Sequence, residues 1–207
     1  MPDEGLRDRK RRRTRAAIAE AALELFLARG FDHVTVSEVA AAAEVAEKTV
    51  FNHFPVKAAL VFDAADELLA ELLAALRERG AGVPAVEGIR AFVQRRAERI
   101  GRGSPPRPGP AFLEMIEASP ALRSYRRDMF ARWEAVLAEE LAADVGAPPG
   151  SAEPFVAAAA LIAVLRAGLE APTPTRGHAE HNSLAALDLI ARGLGDYAPA
   201  PLDRPTE

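Results

Sequence analysis

The sequence has 207 residues, 49% of them hydrophobic, and carries 26 Lys or Arg against 30 Asp or Glu, a formal net charge of −4. It holds no cysteine, which excludes disulfides, thiolate metal sites and cysteine nucleophiles. Its longest apolar run, Phe155 to Leu165, is ended by Arg166 after eleven residues, too short to span a bilayer.

The length accommodates two domains or one larger helical body. Charge is spread unevenly. Residues 1–57 carry ten Lys or Arg against nine Asp or Glu, and the rest carry sixteen against twenty-one. The segment AAIAEAALELFLA imitates a signal peptide, but Glu20 and Glu24 interrupt it and no cleavage-like site follows, so a cytoplasmic location is expected.

Residues 9–15 read RKRRRTR, six cations in seven positions, directly before an apolar helical series of Ile18, Ala21, Ala22, Leu25 and Phe26. Gly30 closes that helix, and Phe31 stands where a helix-terminating turn often makes an apolar contact. The basic run reads as an arm lying along phosphates or in an adjacent minor groove, with a solvated tail as the alternative.

From Thr35 to Leu60 the pattern predicts two short helices joined by a tight turn. Thr35 and Glu38 have capping-box spacing, so each side chain can satisfy the other's backbone amide and fix the helix start. Val36, Val39, Ala40 and Ala43 make one narrow apolar face. After Glu44-Val45-Ala46, Val50 and Phe54 lie four apart on the buried side of the second helix. Lys48, Thr49, Phe51, Asn52 and His53 are left outward or along the rim. That set offers groups able to bond phosphates and base edges.

This pattern resembles the TetR family of bacterial one-component repressors. The family's aromatic, any, any, Phe, then Lys and Leu three apart, is matched by Phe51, Phe54, Lys57 and Leu60, with Thr49 and Thr35 at its threonine positions. The resemblance is strong over residues 10–60, and architectural beyond them. Three positions depart from the pattern. Glu44 replaces the turn glycine, Ala46 the serine cap, and Phe51 a tyrosine whose hydroxyl would reach phosphate. A left-handed Glu44 would carry a small strain cost; otherwise the turn must avoid that conformation. The resemblance implies a homodimer on an inverted repeat of double-stranded DNA. The residues expected at DNA are Arg11, Arg12, Arg13, Arg15, Thr35, Ser37, Lys48, Thr49, Phe51, Asn52, His53 and Lys57.

Beyond the motif, periodicity predicts helices over 57–79, 85–100, 110–118, 121–145, 152–170 and 180–194, with no strand alternation. The expected fold is therefore all-α. A helix-turn-helix domain spans 1–56, a helical ligand-binding and dimerisation domain 57–198, and a frayed tail 199–207. The 57–79 helix would link the two domains mechanically.

Phe92, Phe112, Met115, Ile116, Met129 and Trp133 are candidate walls of a pocket for a small effector, although plain core packing explains each singly. Residues 119–141 are similar to the second domains of acyl-CoA-responsive members, and nearby arginines suit an acidic ligand. Leu161, Leu165 and Leu169, with Leu184, Leu187, Ile190 and Leu194, are candidates for a four-helix dimer interface. The same stripes would serve equally within one subunit.

An enzyme is the rival class. His178-Ala179-Glu180-His181 gathers two imidazoles and a carboxylate, but no histidine follows a glutamate by three as a di-iron bundle needs, and solvated loop histidines are the preferred reading. Phosphate loops and nucleophile elbows are lacking. The expectation is a non-enzymatic, ligand-responsive DNA-binding regulator, a repressor, with no cofactor, metal or membrane. The alternative is a small-molecule-carrying helical bundle that does not bind DNA.

Overall fold

The computed structural model describes residues 4–80, 82–101, 109–170 and 178–193. Among the described residues there are nine α-helices and no strand: α1 Glu4–Arg29, α2 Val36–Ala42, α3 Glu47–His53, α4 Ala65–Arg77, α5 Ala85–Gly101, α6 Pro110–Ala118, α7 Pro120–Val145, α8 Glu153–Glu170 and α9 His178–Arg192. The expected tail at 199–207 lies outside the described residues. The chain divides into two compact units, one of Met1–Ala70 with Arg107–Arg132, the other of Glu71–Pro106 with Trp133–Glu207.

In the first unit Ile18, Ala22 and Phe26 of α1, Val39 and Ala40 of α2, and Val50 and Phe54 around α3 are buried together. Gly30 ends α1 at a positive φ of 84°, where a side chain would be strained, and its amide returns to the Phe26 carbonyl at 2.8 Å. The turn delivers Phe31 against Phe26, ring centroids 5.0 Å apart and edge to face. Met115, Ile116 and Leu122 of α6 and α7 complete this core. Ser119, only 2% exposed, donates from its hydroxyl to Asp32 at 3.1 Å and so ties the start of α7 to the loop after α1.

The continuous helix expected over 57–79 is broken at its start. Lys57–Leu60 is a tighter 3₁₀ turn, and the α-helix begins at Ala65. The turn seats Leu60 and Val61 in the core, at 2% and 8% exposure.

In the second unit Leu72, Leu76, Ile89, Phe92, Trp133, Leu137, Leu161, Ile162 and Leu187 are buried. Gly88 lets α5 approach α4: a β-carbon there would stand 3.1 Å from the Ala75 carbonyl oxygen and 3.2 Å from Leu76 Cα. Arginine pairs link the helices at the rim. Arg77 grips Glu140 through two bonds of 2.8 and 2.5 Å, Arg79 pairs with Asp144, Arg90 with Asp188 at 2.8 Å, and Arg99 with Glu71. Solvent screens such pairs, so the apolar core supplies most of the stability.

Candidate nucleic-acid interface

The helix pair is built as its sequence suggests. Thr35 accepts the Glu38 amide at 3.2 Å, while the Glu38 carboxylate accepts the Thr35 amide and hydroxyl, both at 2.8 Å. Arg29 adds an ion pair at 2.8 Å. Bonding from the Thr35 backbone, then its hydroxyl, then Arg29 lowers the Glu38 pKa from 4.5 to about 2.

The turn out of α2 resolves the alternative left by Glu44, which adopts a positive φ of 54°. The Val45 amide reaches the Ala40 carbonyl at 2.9 Å and the Glu44 amide reaches Ala41 at 3.2 Å, the paired bonds of a Schellman termination with a non-glycine at its left-handed position. Ala46 opens α3 with no side-chain cap. This short helix is held instead by Val50 and Phe54, each 1% exposed.

That anchoring sorts the side chains of α3. Lys48, Phe51 and Asn52 are exposed, and Thr49 and His53 are half-buried. Thr35 and Ser37 at the start of α2 are exposed as well. The pKa of His53 is lowered, first by burial and then by the charges of Arg11 and Arg15, which favours its neutral form.

The basic run, expected as an arm, is part of α1 instead. From Glu4 the described chain is helical, and Arg11, Arg12 and Arg13 are exposed on a continuation of α1. An α-helix with side chains is about 10–12 Å across, whereas a minor groove is about 6 Å wide. The helical form of this segment is thus broader than that groove. Arg and Lys are good helix formers, which accounts for the extension despite their repulsion.

Two expected DNA contacts have inward bonds. Lys57 donates to the Phe31 carbonyl at 2.5 Å and lies 4.2 Å from the centroid of that ring. Burial lowers its pKa. Arg15 donates to the His53 carbonyl at 2.7 Å, pairs with Asp63 at 2.6 Å and lies 4.2 Å over the Phe54 ring. Asp63 carried no local sequence signal that would have singled it out.

The expected pocket walls are divided. Met115 and Ile116 are in the first unit's core, Phe112 packs against it, and Met129 is buried in that unit too. Phe92 and Trp133 are buried in the second unit. There, a cavity of about 380 Å³ is lined by Glu71, Ala74, Glu78, Phe92, Arg95, Glu98 and Arg99.

Of the expected interface leucines, Leu161, Leu165 and Leu187 are at most 7% exposed and pack within the subunit, where α8 lies against α9. Leu184 and Ile190 are half-buried. The Leu169 side chain and Leu194 lie outside the described residues. Among the residues left outward on α8 are Phe155 and Val156, 63% and 67% exposed, with Ala159 and Ala163. His178 opens α9, so the histidine cluster begins a helix rather than lying in the expected loop. No metal-binding group of three His, Cys, Asp or Glu occurs among the described residues, and none of their helices is long and apolar enough to cross a membrane.

Comparison with known proteins places this architecture. Residues 18–64 match the model for bacterial regulatory proteins of the tetR family, and residues 83–195 match that for the MftR C-terminal domain. HTH-type transcriptional regulator TcmR of Streptomyces glaucescens is 46% identical over 78 residues, 38% of this chain and 34% of that protein. MftR of Mycobacterium tuberculosis, named as a transcriptional regulator of mycofactocin biosynthesis, is 27% identical over 200 residues, 94% of this chain and 98% of that protein. The crystal structure of Thermus thermophilus FadR, a TetR-family repressor in complex with lauroyl-CoA, has a TM-score of 0.52 and 26% identity, covering 92% of this chain and 99% of that one. With a helix-turn-helix built on Val50 and Phe54 and a helical second region matched through residue 195, this chain belongs to the TetR family and is a DNA-binding transcriptional regulator, not an enzyme.

Proposed function

We propose that the protein is a homodimeric repressor that holds an inverted-repeat operator through α3 of each subunit and leaves it when a small apolar or acyl-type effector binds its second domain. The observation that carries the DNA part is the division of α3, whose Val50 and Phe54 are buried while Lys48, Phe51 and Asn52 stand outward. Lys48, Thr49 and Lys57, with Arg11, Arg12 and Arg13, take phosphates. Asn52 reads a base edge, and Phe51 packs on the sugar–phosphate wall. Thr35 and Ser37 meet the backbone beside the capping box.

Pairing of two subunits is supported by the outward face of α8, where Phe155 and Val156 precede the small residues Ala159 and Ala163. Small residues permit close helix approach. A dyad would set two copies of α3 about 34–36 Å apart, one turn of DNA. An acyl-type effector is supported by the lauroyl-CoA complex of the Thermus relative. The 380 Å³ cavity offers apolar surface from Phe92 and Ala74 beside Arg95, while Glu71, which holds Arg99, and Glu78 and Glu98 line it too and favour the acyl chain over its acidic end. That volume lies within the usual range for small-molecule sites. An effector needs a differential affinity of only about 1.4 kcal/mol between the two states to change occupancy tenfold.

The test is selection of genomic fragments by the purified protein at near-physiological salt, repeated with lauroyl-CoA present. An enriched inverted repeat that is lost with the acyl thioester is the expected result. A repeat indifferent to lauroyl-CoA would reject that effector class and leave the operator standing. No enrichment by folded protein would favour a ligand-carrying bundle.

A further inference from the structure

We propose that Arg15 is a positioning residue which, oriented by Asp63, sets the pose of the recognition helix α3 and thereby controls sequence selectivity rather than general DNA affinity. This rests on the operator-binding reading above. The guanidinium joins three pieces of chain that are distant in sequence. It belongs to α1, donates through Nη1 to the His53 carbonyl at the last residue of α3, and pairs through Nε with Asp63 in the segment before α4. Its Cζ also lies 4.2 Å from the centroid of the Phe54 ring, directly after α3.

Three observations give the strut its importance. The recognition helix has only seven residues, lacks a side-chain cap at Ala46, and is entered through the left-handed Glu44. Its N-terminal end is therefore weakly specified, and its pose depends on Val50, Phe54 and the hold on its last carbonyl. A guanidinium can hold a carbonyl by a hydrogen bond through one nitrogen and a carboxylate by an ion pair through another from one rigid plane, which an ammonium on a flexible stem cannot reproduce. Asp63 is also a poor stabiliser in its own right: its pKa is raised, first by burial, against the opposing charge of Arg15. A half-buried carboxylate kept against its own desolvation suits an orienting role.

The pairing separates this role from a phosphate contact. Removing the Asp63 charge strengthens binding to every duplex if only net charge matters, whereas the positioning role requires selectivity to fall.

The experiment selects one randomised duplex library with wild type, Arg15→Gln, Arg15→Lys, Asp63→Asn and the Arg15→Gln/Asp63→Asn double variant. Affinities follow for the best wild-type duplex and a scrambled duplex over a salt series, with circular dichroism fixing a temperature at which each variant is folded. The expected result is that Arg15→Gln and Asp63→Asn each lose about tenfold on the selected duplex and less than about twofold on the scrambled one. The double variant is expected to be no worse than either single, and Arg15→Lys not to restore selectivity. A salt slope reduced by about 1 with equal losses on both duplexes would make Arg15 a phosphate ligand and overturn the proposal. So would tighter binding of both duplexes by Asp63→Asn, or an unchanged ratio between them in folded variants. If wild type selects no sequence, the operator reading itself fails and the positioning role falls with it.

Discussion

The Lys57 ammonium donates to the carbonyl of Phe31 at 2.5 Å while lying 4.2 Å from the centroid of the same residue's ring. One side chain thus fastens the 3₁₀ turn before α4 to the turn after α1. An ammonium has three N–H groups, so this bond leaves two for a phosphate. Lys57→Ala is therefore expected to act twice, destabilising the protein by about 1–2 kcal/mol through the lost bond and ring contact and lowering the salt slope of DNA binding by about 1. Urea unfolding and a salt titration measure the two separately. Unchanged stability would show that the inward bond contributes nothing.

Glu44 sits at a φ of 54° in a turn whose other bonds are well made. A left-handed conformation costs a side chain about 1–2 kcal/mol. Glu44→Gly is expected to recover about 1 kcal/mol of that, less the greater entropy glycine gains on unfolding. Ala46→Ser adds the missing cap of α3, worth about 1 kcal/mol. The double variant is expected to raise the urea midpoint beyond either single, and a lowered midpoint for Glu44→Gly would mean that its side chain makes a contact outweighing the strain.

At Gly88 two effects oppose each other. Alanine gains about 1 kcal/mol of helix propensity over glycine, but its β-carbon would stand 3.1 Å from the Ala75 carbonyl oxygen and 3.2 Å from Leu76 Cα. Those neighbours include backbone, which cannot swing aside, and overpacking costs about 1–3 kcal/mol. Gly88→Ala should lower stability, whereas Gly5→Ala, with nothing within 4 Å of its new methyl, should not. Equal melting temperatures for the two variants would show that α5 can withdraw from α4 freely.

The capping box predicts an acid-limb effect. Glu38 has its pKa lowered from 4.5 to about 2, so its contribution is full above the unfolded value and is lost as pH falls from 4.5 through 2. Glu38→Gln should flatten the stability curve within that window and leave its shape above pH 6 unaltered. Superimposable acid limbs for the two proteins would contradict the assignment.

Local chemistry made part of this legible in sequence. The Thr35 and Glu38 spacing defined a helix start that the hydrogen bonds reproduce, and Gly30 with Phe31 marked the end of α1. The division of α3 followed from Val50 and Phe54. Choice of neighbour was not legible. Stripes such as those of Leu161 and Leu165 on α8 and of Leu187 on α9 specify burial but not whether the covering helix belongs to the same subunit, and here α8 and α9 cover each other. Met115 and Ile116 likewise looked suitable for a pocket and pack into the core beneath α1. The Arg15 and Asp63 pair spans 48 residues and depends on a fold that no local window contains.

Asn52 is exposed on α3, two residues beyond the buried Val50, and the most direct test of base reading by this helix is its substitution. Binding of wild type and Asn52→Ala to the selected duplex and to a scrambled one should be compared at a single salt concentration. A loss of about 1–3 kcal/mol confined to the selected duplex is predicted. Equal losses on both, or none on either, would contradict a base-reading role for α3.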